Sequence, residues 1–415
     1  YGTFPAVSAG WRVSDEDWFR NVKSVSNLKI RGSYGKLGNT NGLLPYASKG
    51  LVGVGANYVI NGNTSVPGLA PSQIGNDSLQ WESLKQADVG MEIGFFKERL
   101  QLTVDYYSKT TNDLLLARPL VGSSGFTSVN QNIGEISNKG WEFSVTSTNF
   151  STRDFVWTTS LNISFNKNLV KKISGAPFPS GFASWTQAGY PLGSFYGYKV
   201  VGIFNNASEI AKAPTQYQGT SPGDLQFADL NHDGVITTAD QTVIGNANPK
   251  YYGGLTNTFS YKGFDLTLFF QFNVGNKIFN VNRQFAEGMN SLFGQYATTL
   301  KRWEPTDTAT SMPRAVFGDP NGNAGNTSTR FLEDGSYVRL KNVILAYNLP
   351  RNLVSHLKLG GIKLFIESQN LKTWTKYSGF DPEVNTFGMT NVAPGTDFLT
   401  YPQAKSFNFG ADVTF

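Results

Sequence analysis

The chain has 415 residues, no cysteine and only two histidines, His232 and His356, so disulfide frameworks and thiolate metal sites are excluded and imidazole catalysis is poorly provided for. A net charge of +5 with both signs interspersed gives no basic stripe for nucleic acid. No run of some 18 apolar residues occurs, so no transmembrane helix is predicted, yet aromatics reach 14% and glycine is abundant at 44 residues.

Taken in order, the chain repeats one code, alternation of apolar and polar residues with aromatics on the apolar parity. Val7, Ala9, Trp11 and Val13 alternate with Ser8, Gly10 and Arg12; Leu28, Ile30 and Tyr34 alternate with Lys29, Arg31 and Ser33. After a Gly/Asn/Ser-rich stretch over 38–76, Val89, Met91, Ile93 and Phe95 lead through Lys97-Glu98-Arg99 into Leu100, Leu102, Val104 and Tyr106. Trp141, Phe143 and Val145 turn near 151–154 into Phe155, Trp157, Leu161, Ile163 and Phe165. Some eighty residues without clean alternation follow. Leu255, Phe259 and Tyr261 then turn at Lys262-Gly263 into Phe264, Leu266, Leu268, Phe270 and Phe272. Between Tyr337 and Leu349 the parity slips, from Arg339/Lys341 to Val343/Leu345/Tyr347, which predicts a bulge. Ile362, Leu364 and Ile366 make another strand, and Phe407, Phe409, Ala411, Val413 and Phe415 line one face of the last.

These are about eleven strands, joined by connections that alternate short and long. The short ones fall at 96–99, 149–154, 261–263 and 351–361; the long ones at 38–78, 113–131, 168–249, 274–334 and 375–404. That segregation predicts a transmembrane antiparallel β-barrel, all-β, with short periplasmic turns and long extracellular loops. Phe264, Leu266, Leu268, Phe270, Phe407, Phe409 and Val413 are expected to face lipid. An odd strand count and an unpaired edge do not suit a closed barrel in lipid, so residues 1–415 are expected to form the C-terminal part of a larger one. No initiator Met, basic n-region or apolar h-region stands at Tyr1, and any export signal is expected outside this sequence.

The most specific local motif runs from Asp229 to Asp240. Asp229, Asn231 and Asp233 stand at positions 1, 3 and 5 of a calcium loop, Gly234 at the sharp turn, Val235 at the carbonyl position and Asp240 at position 12. Oxygen ligands of this kind suit a hard cation, and calcium is the expected ion; an Asx-rich turn without metal would carry the same residues. Position 12 is Asp rather than the bidentate Glu of EF-hands.

Asp88, Glu92, Asp105 and Glu142 fall on the inward parity, where they would line a polar lumen or contact a plug, or else pair for glycoside hydrolysis. Loop aromatics such as Tyr58, Trp185, Tyr190, Phe195 and Tyr196 would either stack on ligand or pack the loops. With no metalloprotease, phosphate-loop, nucleophile-elbow or dinucleotide motif, the chain is not expected to be an enzyme; no catalytic residues are assigned and substrate contacts stay unassigned.

Several blocks together resemble the SusC/RagA family of TonB-linked outer-membrane transporters. They are Phe4-Pro-Ala-Val-Ser-Ala-Gly-Trp11, Leu28-Lys-Ile-Arg-Gly-Ser-Tyr-Gly35, Asn132-Ile-Gly-Glu-Ile-Ser-Asn-Lys-Gly140, Gly223 to Gly234, Val243 to Asn246 and Tyr261 to Leu266. Phe331 to Val343 and the terminal strand complete the set. The resemblance implies a barrel of about 22 strands around an N-terminal plug, in a Gram-negative outer membrane. It further implies import of oligosaccharides or peptides, energised by TonB and assisted by a SusD-like surface lipoprotein. The alternatives are a siderophore or cobalamin receptor without a lipoprotein lid, an outer-membrane barrel enzyme, or a passive porin.

Overall fold

The computed structural model describes residues 2–41, 43, 45–388 and 390–415; Tyr1 lies outside them. Eleven long strands form one antiparallel sheet in which every neighbour in space is the neighbour in sequence. They are β1 (Ala6–Arg12), β2 (Val25–Asn39), β3 (Glu82–Phe95), β4 (Leu100–Pro119), β5 (Ser128–Ser151) and β6 (Phe155–Ile173). The meander continues with β7 (Tyr251–Tyr261), β8 (Phe264–Val274), β9 (Tyr337–Asn348), β10 (Gly361–Thr375) and β11 (Ser406–Thr414). Each of the eleven overlaps a segment that alternation picks out, but Val13 falls in a 3-10 turn after β1 and is buried, and Phe415 lies past the end of β11. β1 and β11 are the two edges of the sheet and do not pair with each other.

Register carries the apolar parity straight across the sheet. Trp11, Ile30, Met91, Val104, Phe143, Ile163, Gly253, Phe272, Val338 and Trp374 are successive cross-strand partners from β1 to β10. A parallel row joins Leu266, Leu345, Ile366 and Phe409. In water such rows would be buried; here Phe264 is 50% exposed, Phe407 60% and Phe409 75%. An apolar, aromatic-rich face left uncovered by the chain itself is the face a barrel turns to lipid.

Turn chemistry matches the short connections. Lys262 and Gly263 both have positive φ, the two-residue type I′ geometry that suits the twist of a hairpin. The bulge expected in β9 is present: its register shifts against β8 and again against β10, with Lys341 the unpaired extra residue. One connection differs from the sequence reading. The expected long loop at 113–131 is mostly strand, because β4 runs on to Pro119 and β5 starts at Ser128. Positive φ at Asp113 and register shifts around Leu114 reset the parity there, so Leu114-Leu115-Leu116 breaks the alternation without ending the strand.

The long connections 174–250, 275–336 and 376–405 fold together on the polar side of the sheet. Phe178–Ser180, Ser184–Thr186, Ser194–Gly197 and Thr242–Asn246 make a small sheet within the first. A second small sheet joins Lys277–Asn280 and Leu332–Asp334 of one loop to Thr396–Asp397 of another. Phe195, Phe279, Val281 and Phe331 are buried together between them. Within 45–81, Leu51–Val54 pairs with Leu69–Gln73 and Tyr58–Ile60 with Thr64–Val66 as two small hairpins, and the segment is tied to β5 where Asn76 Nδ2 donates to the Asn130 carbonyl (2.9 Å) and Gln80 N–H to Asn132 Oδ1 (2.9 Å).

Candidate lumenal wall and loop roof

The polar parity holds two side-chain networks, both made possible by a missing side chain. On β2, Arg31 reaches Asp88 (3.3 Å) and Glu92 (3.1 Å) of β3, and passes over β3 to Asp105 of β4 (2.6 Å). It crosses at Gly90, where a Cβ would collide with both Asp105 and Arg31. Lys29 adds a second cation, 3.6 Å from Glu92. Three of the four inward carboxylates singled out from sequence therefore converge on one guanidinium, with Glu142 directly across from Asp105 on β5. Ion pairing, not a spaced acid and base, is what this arrangement provides.

Higher on the wall, Tyr107 of β4 passes over Gly140 of β5 and donates to Asn166 Oδ1 on β6 (3.1 Å); a Cβ at residue 140 would meet the Tyr107 ring and hydroxyl. Asn166 (3.2 Å) and Asn168 (2.9 Å) both donate to Asn138 Oδ1 on β5. The roof attaches here, because Leu192 N–H donates to Asn168 Oδ1 (2.7 Å) and Asn248 Nδ2 donates to the Leu192 carbonyl (3.3 Å). Wall and roof border an open cavity of about 390 Å³ lined by Asn39, Glu82, Lys109, Thr111, Asn138, Asn166, Asn168, Asn248 and Asn391, with Leu114, Ile136, Leu192 and Pro394 as its apolar part.

Two buried charges tie the roof down. Arg339, only 1% exposed at the outer end of β9, donates to Thr373 (3.0 Å) and pairs with Asp381 (2.5 Å) and Glu383 (2.9 Å) of the last loop. Asp224, completely buried, takes a forked bond from Arg314 (2.7 and 3.1 Å) and one from Asn323 (2.9 Å), joining two loops. Breaking either pair would leave an uncompensated buried charge.

Comparison with known proteins agrees with this geometry. The family model described as TonB dependent receptor-like, beta-barrel, matches residues 1–371. The chain belongs to the TonB-dependent receptor β-barrel family. It is 36% identical over 429 residues to TonB-dependent receptor P3 of Formosa agariphila, covering all of this chain and 42% of that protein. To TonB-dependent receptor SusC of Bacteroides thetaiotaomicron it is 27% identical, covering all of this chain and 40% of the relative. Among solved structures, that of the RagAB peptide transporter superposes with a TM-score of 0.81 at 28% identity, over 99% of this chain and 43% of that one. The chain thus spans about two fifths of the length of these relatives. It is an outer-membrane, multi-strand β-barrel chain, as the sequence resemblance implied.

Within this receptor barrel the 229–240 loop lies in connection 174–250 of the roof. Asp229 accepts from the N–H of His232 (2.7 Å) and of Gly234 (2.9 Å). Asn231 and Asp233 form successive Asx turns onto Asp233 N–H (3.1 Å) and Val235 N–H (2.8 Å). Asp240 is completely buried and accepts from Leu230 (2.8 Å) and Thr237 (2.8 Å), completing a capping box. Burial opposes its charge, but the N–H groups of Thr237, Leu230 and Asn231 outweigh that and hold its carboxyl below the usual value. No cluster of three or more His, Asp or Glu side chains with metal-binding geometry forms among the described residues. The turn is therefore held by its own hydrogen bonds.

Three of the five loop aromatics singled out from sequence resolve as packing, whereas Tyr58 and Tyr190 stay exposed. Phe195 is completely buried in the roof core, and Trp185 stacks on Tyr196 at 4.9 Å. The Asn138–Asn166–Asn168 network was not singled out from sequence. Its signal was present as asparagines at even spacing on the polar parity, Asn162, Asn166 and Asn168, but alternation alone does not say which of them share a cavity.

Proposed function

We propose that this chain forms the C-terminal part of the barrel of an active outer-membrane importer, energised by TonB and working with a SusD-like surface lipoprotein. The observation that carries the reading is the near-complete superposition of wall and roof on the RagAB transporter, at 28% identity. A relative named SusC supports it independently. The cargo class is oligosaccharide or peptide, a solute too bulky for passive diffusion. The two edge strands β1 and β11 then pair with strands of the remaining barrel, because lipid does not tolerate open edges. Calcium bound by Asp229, Asn231, Asp233, Asp240 and the Val235 carbonyl would brace the roof there.

The test is uptake by cells carrying the full-length protein, with and without TonB. Loss of uptake with cargo binding retained, and co-purification of a surface lipoprotein, are expected. Uptake unchanged without TonB overturns active import. TonB-dependent uptake without any lipoprotein favours a lidless siderophore or cobalamin receptor.

A further inference from the structure

Beyond the import reading, we propose that the lipid-facing side of β2–β6 binds a phosphorylated glycolipid of the outer leaflet between two opposed lysine pairs. Lys139 of β5 stands directly opposite Lys167 of β6, and Lys36 of β2 directly opposite Lys85 of β3. All four share the parity of the apolar row: Lys139 follows Trp141 and Phe143, Lys167 Phe165, Lys36 Ile30, and Lys85 Met91, with no register shift between. Directly opposed residues have Cβ atoms about 4.5–5.5 Å apart, and like charges so placed destabilise a sheet. None of the four lysines forms an ion pair among the described residues. Glu135, further up β5, is taken by Lys171 (2.9 Å). On the lumenal parity of β2, by contrast, Lys29 and Arg31 sit among carboxylates. The outward lysines therefore carry charge that an anion from outside the chain must balance.

Depth identifies that anion. Tyr106 and Trp141 (rings 4.9 Å apart) and Phe165 and Tyr251 (5.8 Å) form an aromatic belt across β4–β7. A second belt, Phe150, Trp157 and Phe259, stacks near the short turns. From Trp157 to Phe165 is about 26 Å along β6, or about 20 Å in height at a tilt of roughly 40°. That is close to the apolar band a barrel shows lipid, with aromatic girdles at the headgroup levels. Lys139 and Lys167 are the next outward residues on the loop side of Trp141 and Phe165. They therefore stand in the headgroup layer of the outer leaflet. A protein partner would have to enter that layer to reach them, whereas a lipid already occupies it.

The ground between the pairs suits a saccharide. From Lys85 the register runs through Thr110 to Ser137, and Lys139 is the next outward residue along β5. Two strand spacings and two residues set the pairs about 12 Å apart. Ala87, Ser108 and Thr110 lie between them, and their small side chains leave a shallow floor with hydroxyls for a sugar. Each ammonium brings three donors to a phosphate at either end. Acyl chains then run down Val104, Phe143 and Ile163, the apolar row beneath. A glycerophospholipid fits less well, because its single small anionic head reaches one lysine pair and not both.

The experiment uses the full-length protein purified from its own outer membrane and stripped of lipid by detergent exchange. Native mass spectrometry reads which lipid it retains from an equimolar mixture of diphosphorylated lipid A, dephosphorylated lipid A and phosphatidylglycerol. Preferential retention of the diphosphorylated form is expected. The double variants Lys139→Met/Lys167→Met and Lys36→Met/Lys85→Met should each weaken it roughly tenfold or more. Equal retention of either competitor, retention of no lipid, or equal retention by wild type and variants overturns the site. Stability in vesicles guards against a folding defect. In phosphatidylcholine the variants should unfold no more readily than wild type, since each removes a repulsive pair. Added lipid A should then raise the unfolding midpoint of wild type and not that of the variants. Variants weaker than wild type in phosphatidylcholine, or equal gains from lipid A, would show that the lysines brace the sheet and hold no anion.

Discussion

Gly90 and Gly140 are interior strand residues whose value lies in what they leave out. At each, a long side chain crosses a whole strand to reach the next one, Arg31 to Asp105 and Tyr107 to Asn166. Gly90→Val should push Arg31 off Asp105 and cost about 1–3 kcal/mol, as overpacking does. Unfolding of the full-length protein in lipid vesicles would measure it, and an unchanged transition would mean the crossing contributes nothing. Asp240 behaves differently. Its carboxyl is held below the ordinary value of 3.8, so its stabilising contribution is complete above that value and is lost as pH falls through the lowered one. Amide exchange at Leu230 and Thr237 should stay protected from neutral pH down to that range and open below it. Asp240→Ala should remove the protection at every pH, at about 1–3 kcal/mol. If a chelator opens the same amides at neutral pH, calcium is part of the lock; if only acid and mutation do, the turn stands on hydrogen bonds.

Strands here have two faces with opposite solvents, so their substitutions should divide by parity. Leu268, in the apolar row of β8, pairs with Val343; its neighbour Thr267 pairs with Ile344 on the opposite parity. Leu268→Arg should cost about 2–4 kcal/mol near the midplane, and Thr267→Arg far less. Equal costs in refolding titrations into vesicles would refute the assignment of faces. The bulge at Lys341 belongs to the same logic. One extra residue returns Val343, Leu345 and Tyr347 to the lipid parity while letting Arg339 point into the roof.

At the scale of the molecule, three loops act as one body. The mixed sheet that joins Lys277–Asn280 to Thr396–Asp397, and the Asp224–Arg314 bridge, make deletion of any one of them a loss for all. Loop 40–81 is the exception, because among the described residues its hairpins join neither small sheet and its bonds run to β5, through Asn76 and Gln80. Removing residues 56–68 should therefore leave the barrel folded while reducing lipoprotein association, if that loop forms part of the lid's seat. Residues 1–415 alone, refolded in detergent, should fail to give the heat-modifiable mobility of a closed barrel, whereas the full-length protein should show it. A closed barrel from this chain by itself would overturn the pairing proposed for β1 and β11.

Alternation with period two was sufficient to locate all eleven strands, their faces, the Lys262-Gly263 turn and the bulge in β9. Each of these depends on a local rule: which side of the pleat a residue occupies, and which φ a turn requires. The continuation of β4 and β5 past Leu114 was missed because a register shift erases the period without ending the hydrogen bonding. Nothing local foretold that Arg339 would be buried against Asp381 and Glu383, or that three asparagines would meet at one oxygen. Those contacts join residues tens of positions apart, and only cross-strand register and the folding of the loops onto the polar face bring them within reach.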